Sequence, residues 1–325
     1  MSSINQKKRL RWAILGCARI SRRGLIPGIQ LSHSGTLDLL ASRRPEVGRE
    51  WATEFHIPRT TESYESAISD PNIDCVYIPL ANEEHAPYVK MAADAGKHIL
   101  CEKPLALNAD EARHMAGYCR EKGVILMEAF MWRHQPRVKA LREQVQNGRI
   151  GELKIVRSSF SFPIDMSDWR LDPTRGGGAL WDIGCYCISA IRLFSGSEPV
   201  DIRGRARFSD RGVDLSMGVS VKCANGILGV FDCSFELPFR MEYELVGSNG
   251  FIQVPIAFLP TDAPQARFFD IDGNLVEEVT YDGRNQYACM VDNFAASVEN
   301  GQLVEPSEDG VSQMIALDQV LAACR

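Results

Sequence analysis

Five short runs near the start of the chain, Leu10–Leu15, Leu37–Ala41, Cys75–Ile78, His98–Cys101 and Val124–Met127, are predominantly apolar instead of alternating with polar residues. Such apolarity marks strands buried on both faces, as in a parallel sheet covered by helices. Helical patterns separate the runs. One covers Glu84–Ala95 and stops at Gly96; another covers 108–122, where Asn108 and Glu111 form a capping box and Gly123 ends the helix. A β-α repeat of this kind specifies a doubly wound sheet with right-handed crossovers.

Beyond Glu128 the grammar changes. A helix over Pro136–Gln146 precedes a strand over Leu153–Phe162, and the Gly-rich segment Arg175–Gly178 opens an apolar helix over Ala179–Phe194. Val200–Phe208 and Val213–Val221 then alternate with period two, like strands with one buried face. Asn225-Gly226, Asn249-Gly250 and Asp272-Gly273 sit between such runs as hairpin turns. Helices over Gln286–Glu299 and Ser307–Ala323 close the chain. The expected fold is an α/β Rossmann-type doubly wound parallel sheet over residues 1–127. An α+β domain with a large antiparallel-rich sheet follows over 128–325. That sheet has two faces and too few helices to cover both, so a homo-oligomer built from dimers through the second domain is expected.

Several classes of function are disfavoured. The 325 residues carry 36 basic and 42 acidic side chains, a net charge of −6, without the basic excess that nucleic acid requires. No apolar run approaches the roughly 20 residues that span a bilayer. Lys7-Lys8-Arg9 before Leu10–Leu15 imitates a secretory signal, but the run is too short and Arg11 interrupts it. Ten cysteines without a Cys-x-x-Cys spacing read as free buried thiols of a reduced, cytoplasmic protein. Asp182, His85, Cys185 and Cys187 lack metal-ligand spacing, so no zinc site is expected.

The first strand runs into Gly16-Cys17-Ala18-Arg19-Ile20-Ser21, a degraded dinucleotide fingerprint. Gly16 keeps the tight turn, and the backbone at Ala18, Arg19 and Ile20 opens the helix on which a pyrophosphate would rest. The second strand ends in Ala41-Ser42-Arg43-Arg44, with no acid to accept from the ribose hydroxyls of NAD. A hydroxyl with a guanidinium suits a ribose 2′-phosphate, so Ser42 and Arg43 point to NADP, with NAD disfavoured. Arg44 reads as a solvated neighbour. Lys103, in Glu102-Lys103-Pro104, stands at the carboxyl edge of a central strand, where open α/β sheets bind ligands. Asp182 and Tyr186, spaced i, i+4, share one helix face.

Together these motifs resemble the Gfo/Idh/MocA family of oxidoreductases, named for glucose–fructose oxidoreductase and inositol dehydrogenase. The resemblance spans nearly the whole chain. It includes the Gly16 turn, Asn82 with His85, Ala95-Gly96-Lys97-His98 leading into Glu102-Lys103-Pro104, Met131-Trp132-Arg133, the segment Gly176–Tyr186 and Gly247-Ser248-Asn249-Gly250. Ala81 departs from a proline common in the family. The resemblance implies a sugar-like substrate, Lys103 as the catalytic lysine, and Asn82 and Glu102 among the cofactor contacts. Tyr186 stands where inositol-dehydrogenase-like members carry a histidine. It resembles the branch of glucose–fructose oxidoreductase, dihydrodiol dehydrogenase, NADP-dependent xylose dehydrogenases and sugar ketoreductases. On that analogy Lys103 stabilises the reacting oxygen and Tyr186 exchanges its proton. Asp182 then binds a substrate hydroxyl or orients Lys103, and His85 lines the site. The expected function is NADP(H)-dependent hydride transfer on a sugar, polyol or related diol. The alternative is a non-catalytic dinucleotide- and sugar-binding sensor, since the family includes a galactose-pathway repressor. Retention of both Lys103 and Tyr186 favours the enzyme.

Overall fold

Six strands build the first sheet: β1 (Leu10–Leu15), β2 (Gly35–Ala41), β3 (Arg59–Thr61), β4 (Cys75–Ile78), β5 (His98–Glu102) and β6 (Leu126–Ala129). The computed structural model describes residues 9–307 and 310–325. Lys7 and Lys8 of the basic lead-in, and Glu308 and Asp309 of the expected last helix, lie outside the described residues. The order is β3-β2-β1-β4-β5-β6, and every pairing is parallel. Strand order therefore reverses between β1 and β4, which opens a crevice at their carboxyl ends. The central strands are sealed on both faces, as their uniform apolarity requires: Trp12 to Leu15 and Cys75 to Ile78 have no exposed surface. The edge strand β3 escaped sequence reading because its three residues are Arg-Thr-Thr, polar and part-exposed.

Helices α1 (Ile26–Leu31), α2 (Pro45–Glu54), α3 (Tyr64–Ser69), α4 (His85–Asp94) and α5 (Ala109–Glu121) connect these strands. The described residues form two compact units, each discontinuous: 9–106, 110–134, 284–307 and 310 make the first, and 107–109, 135–283 and 311–325 the second. A single division after residue 127 does not describe this arrangement. Within the first unit, α8 (Gln286–Asn300) packs on α1, with Phe294 tilted against Trp12 of β1 at 4.9 Å between ring centroids. The Asp292 carboxylate accepts the backbone N–H groups of His33 and Ser34 at 3.0 and 3.1 Å. Burial of an aromatic face thus draws the helix into the Rossmann unit, a long-range choice that local periodicity does not express.

The second unit holds α6 (Pro136–Gln146), α7 (Cys185–Ser195), α9 (Val311–Cys324) and an eight-stranded sheet. Its strands are β7 (Leu153–Ser161), β8 (Pro199–Phe208), β9 (Asp214–Cys223), β10 (Leu228–Ser234), β11 (Arg240–Gly247), β12 (Gly250–Val254), β13 (Gln265–Asp270) and β14 (Leu275–Thr280). The order is β14-β13-β12-β11-β7-β10-β9-β8, antiparallel except for the parallel pair β7–β10. Register lines Val219, Phe231, Ser158, Tyr243 and Val254 into one row across the sheet. This row is buried on the face that α7 and α9 cover. The alternate residues, including Arg157, Ser220, Val230 and Glu244, face away from those helices. Among the described residues no helix is long and apolar enough to cross a membrane. All ten cysteines are free, and eight of them are buried.

Candidate active site

Because the first sheet is parallel, everything that leaves β1, β2, β4 and β5 emerges on the same edge. That edge collects Gly16, Ser42, Arg43, Asn82, His85, Glu102 and Lys103, all in the first unit. Gly16 has φ +100°, and a Cβ there would lie 3.0 Å from the Tyr64 hydroxyl oxygen and 3.2 Å from Leu80 Cδ2. Only glycine turns the chain here and leaves bare backbone. Ala18, Arg19 and Ile20 retain exposed surface just before the helical turn Ser21–Leu25, while Ser21 is buried. This side-chain-free turn before a helix fits a dinucleotide pyrophosphate. Burial raises the pKa of the neighbouring Cys17 thiol, partly offset by Ser42 and Arg44, so it remains a thiol.

At the end of β2, Ser42 is buried and its hydroxyl spans the next residues. It donates to the Arg44 carbonyl at 2.8 Å and accepts the Arg44 N–H at 3.2 Å, which shapes the turn. Arg43 lies over the Tyr64 ring, its guanidinium carbon 4.5 Å from the centroid. Its Nη1 pairs with Glu84 at 2.9 Å, and its Nη2 donates to the Tyr88 hydroxyl. Burial opposes the Arg43 charge, but Glu84 and Tyr88 outweigh it and raise its pKa. Guanidinium has five N–H donors, so the pairing leaves capacity for a phosphate. Tyr64, Glu84 and Tyr88 were not singled out in the sequence, because nothing local links them to the end of β2.

The segment around Lys103 is clamped from three directions. The Glu102 carboxylate accepts from the Tyr77 hydroxyl at 2.5 Å and from the Lys103 N–H at 3.2 Å. Glu128 on β6 accepts the Leu105 N–H at 2.9 Å. His85 has no exposed surface, and its ring spans two carbonyls, with Nδ1 3.2 Å from Leu105 O and Nε2 3.2 Å from Leu80 O. Burial lowers the pKa of the imidazole, against the carbonyls that favour its charge, and a neutral ring donates its one N–H to one of the two. The expectation that His85 lines a substrate site is therefore corrected: it ties the loop after β4 to the loop after β5. Glu102 is likewise committed to the strand end, with both carboxylate oxygens engaged by protein. Lys103 is partly exposed and Asn82 is buried.

In the second unit the Gly176–Tyr186 segment begins differently from the uninterrupted helix expected. Leu180–Gly184 forms a wide π-type turn that passes into α7, a device frequent at functional sites. Its first N–H groups have a tertiary partner in Asp214, whose carboxylate accepts the Leu180 N–H at 2.7 Å. Burial pushes the Asp214 carboxyl up to about 6, against the N–H groups of Leu180, Asp214 and Ala179 that favour its charge. Tyr186 packs its ring against Phe160 and Phe258, with centroids 5.5 and 5.1 Å away. Asp182 is partly exposed and pairs with Arg170, whose Nε lies 3.1 Å from Asp182 Oδ2. Arg170 and Asp214 carry no motif and were missed in the sequence. Among the described residues, no cluster of His, Cys, Asp and Glu could hold a metal ion.

Residues 10–130 match the model of an oxidoreductase family with an NAD-binding Rossmann fold, and residues 138–253 match the GFO/IDH/MocA C-terminal domain. The chain is 37% identical over 314 residues to D-xylose 1-dehydrogenase (NADP(+)) 2 of Haloferax volcanii, covering 95% of each. It is 32% identical over 256 residues to trans-1,2-dihydrobenzene-1,2-diol dehydrogenase of Mus musculus, covering 78% of this chain and 77% of that one. A 3-ketoreductase from Actinomadura kijaniata, solved with NADP and TDP-benzene, has a similar structure at 29% identity. It gives a TM-score of 0.90 and covers 98% of both chains.

Proposed function

This chain belongs to the Gfo/Idh/MocA family of oxidoreductases, and from that premise we propose that it is an NADP(H)-dependent dehydrogenase or reductase. Its substrates are a carbinol or carbonyl carbon of a sugar, polyol or related diol. The observation that carries this reading is the shared carboxyl edge of the parallel sheet. The bare Gly16 turn, the acid-free end of β2 with Arg43, and the clamped Lys103 segment all open there. A relative named as a D-xylose dehydrogenase acting with NADP(+) and another named as a dihydrodiol dehydrogenase support the same class.

A nicotinamide held there would supply or take the hydride. The protein handles charge and the proton. In the turn that Gly16 opens, whose own N–H is held by the Ala41 carbonyl, Ala18, Arg19 and Ile20 would receive the pyrophosphate on backbone N–H groups. Arg43 would receive the 2′-phosphate beside Ser42, which shapes the turn, and Asn82 would line the cofactor edge that Glu102 holds in place. Lys103 stabilises the oxygen on which charge develops, and Tyr186 donates or accepts its proton. Asp182 binds a substrate hydroxyl. We further infer a homodimer, or an oligomer of dimers, formed through the open face of the eight-stranded sheet. The ten free cysteines support a reducing, cytoplasmic setting. The test is NADPH oxidation with a panel of keto-sugars and NADP+ reduction with aldoses, each repeated with NADH or NAD+. Turnover favouring NADP(H) is expected; tight cofactor binding without turnover of any substrate would replace the enzyme by a sensor.

A further inference from the structure

We infer that Arg170 and Asp168 set the charge preference of the substrate site around Asp182, so that it selects uncharged or cationic polyols over anionic sugars. The inference rests on the reading of Asp182 as a substrate contact and deepens it. Asp168 caps a short turn over Trp169–Leu171 by accepting the Arg170 N–H at 3.0 Å. Arg170 Nη1 also lies 3.1 Å from each Asp168 oxygen, while its Nε lies 3.1 Å from Asp182 Oδ2. One guanidinium thus bridges two carboxylates, and all three side chains are mostly shielded, at 25%, 14% and 19% exposure for Arg170, Asp168 and Asp182.

The bridge is built into the backbone. The Arg170 carbonyl accepts the Gly178 N–H at 2.9 Å, and a Cβ at Gly177 would lie 2.3 Å from that carbonyl oxygen. The turn is therefore docked on the segment that opens the helix carrying Asp182 and Tyr186. Burial opposes the Arg170 charge, but Asp182 and Asp168 outweigh it and raise its pKa, so the guanidinium stays charged. Two carboxylates and one guanidinium sum to −1. Asp172, whose carboxyl the Thr174 hydroxyl and N–H hold below the usual range, also feels Arg175, the other cation beside Trp169, and Arg211. The cluster offers hydrogen-bonding groups suited to hydroxyls, and its own charge of −1, apart from the Lys103 ammonium proposed at the reacting oxygen, disfavours a carboxylate or phosphate seated beside Asp182. Arg170 is a positioning residue in this scheme: it fixes the Asp182 carboxylate and cancels half of the local acid.

The test uses the NADP+-loaded protein at fixed, low ionic strength and three probes of nearly one shape: glucose, glucuronate and glucosamine, with charges 0, −1 and +1. Dissociation constants are measured by titration calorimetry for wild type, Asp168→Asn, Arg170→Met and Arg170→Lys. Wild type is expected to bind glucuronate more weakly than glucose. Asp168→Asn should narrow that gap by about tenfold and Arg170→Met should widen it by a similar factor, the scale of one charge at a partly shielded site. Arg170→Lys should keep the wild-type ratio. A merely structural role would weaken all three probes together and leave their ratios unchanged, which would overturn the inference. So would wild-type binding of glucuronate as tight as that of glucose, or no saturable binding of any probe. If Arg170→Met does not fold, Asp168→Asn and Arg170→Lys still decide. Charge-ranked binding without turnover of any sugar would leave this inference standing and remove the oxidoreductase reading.

Discussion

At Arg43 three interactions converge: the face of Tyr64, the Glu84 carboxylate and the Tyr88 hydroxyl. They hold a long, entropically costly side chain in one orientation before any phosphate arrives. Hydrogen bonds to charged groups contribute roughly 1.5–3 kcal/mol, about 10- to 150-fold in binding. Arg43→Ala should weaken NADP(H) by about that factor and barely change NAD(H), while Arg44→Ala serves as control; the ratio of the two cofactors' dissociation constants is the readout. Tyr186 gives a cleaner substitution. Its ring packs on Phe160 and Phe258, and phenylalanine keeps that ring and removes only the hydroxyl. Tyr186→Phe should lower kcat by about 10²- to 10⁴-fold with NADPH affinity nearly unchanged. Wild-type kcat in this variant, with a substrate isotope effect establishing that chemistry limits the rate, would exclude the tyrosine from the proton transfer.

Elements were legible where a local pattern carried them and obscure where a neighbour decided. The five apolar runs became β1, β2, β4, β5 and β6, with ends shifted by a few residues. The wide turn Leu180–Gly184 had no such signature, since its opening N–H groups depend on Asp214 of β9. That carboxyl has a pH consequence. Its pKa in the fold is about 6, above the ordinary value of an unfolded aspartate. The fold therefore favours its protonated form, and its contribution to stability is most favourable at low pH and is lost as pH rises through 6. Asp214→Asn abolishes this titration. Measured by urea unfolding, the stability of the variant relative to wild type should rise by about 1–2 kcal/mol between pH 5 and pH 7.5. A difference independent of pH would mean that Asp214 does not titrate in this range.

Across the second unit, helices cover one face of the eight-stranded sheet and leave the other open. On the open face Leu228, Val230 and Leu275 are 44%, 46% and 56% exposed. Around them stand ion pairs such as Arg157 with Glu244 at 3.2 Å. A face with exposed apolar side chains and charges of both signs can pair with its own copy about a two-fold axis. Light scattering at micromolar concentration should give twice the mass of the 36.2 kDa chain or a multiple of it. A lone monomer across that range would refute the dimer, and Val230→Glu should shift a true dimer toward monomer.

Periodicity and turn chemistry determined much of this protein without any tertiary information. Predominant apolarity fixed which strands are buried on both faces, alternation marked the second sheet, and Gly16 marked the turn at the crevice, because each is a preference of a residue for its own backbone or immediate surroundings. Lys103 and Tyr186 could be proposed as site residues because their neighbours form recurrent motifs. What only the tertiary structure decided are relations between residues far apart in the chain. Helix α8 joined the Rossmann unit through Phe294 and Trp12, and His85 turned from the site to span Leu80 and Leu105. Arg170 closed on Asp182, and Asp214 capped a turn 34 residues away. Each of these pairings either buries an aromatic face or offsets the cost of burying a polar group, and that balance exists only once the chain has brought the partner there.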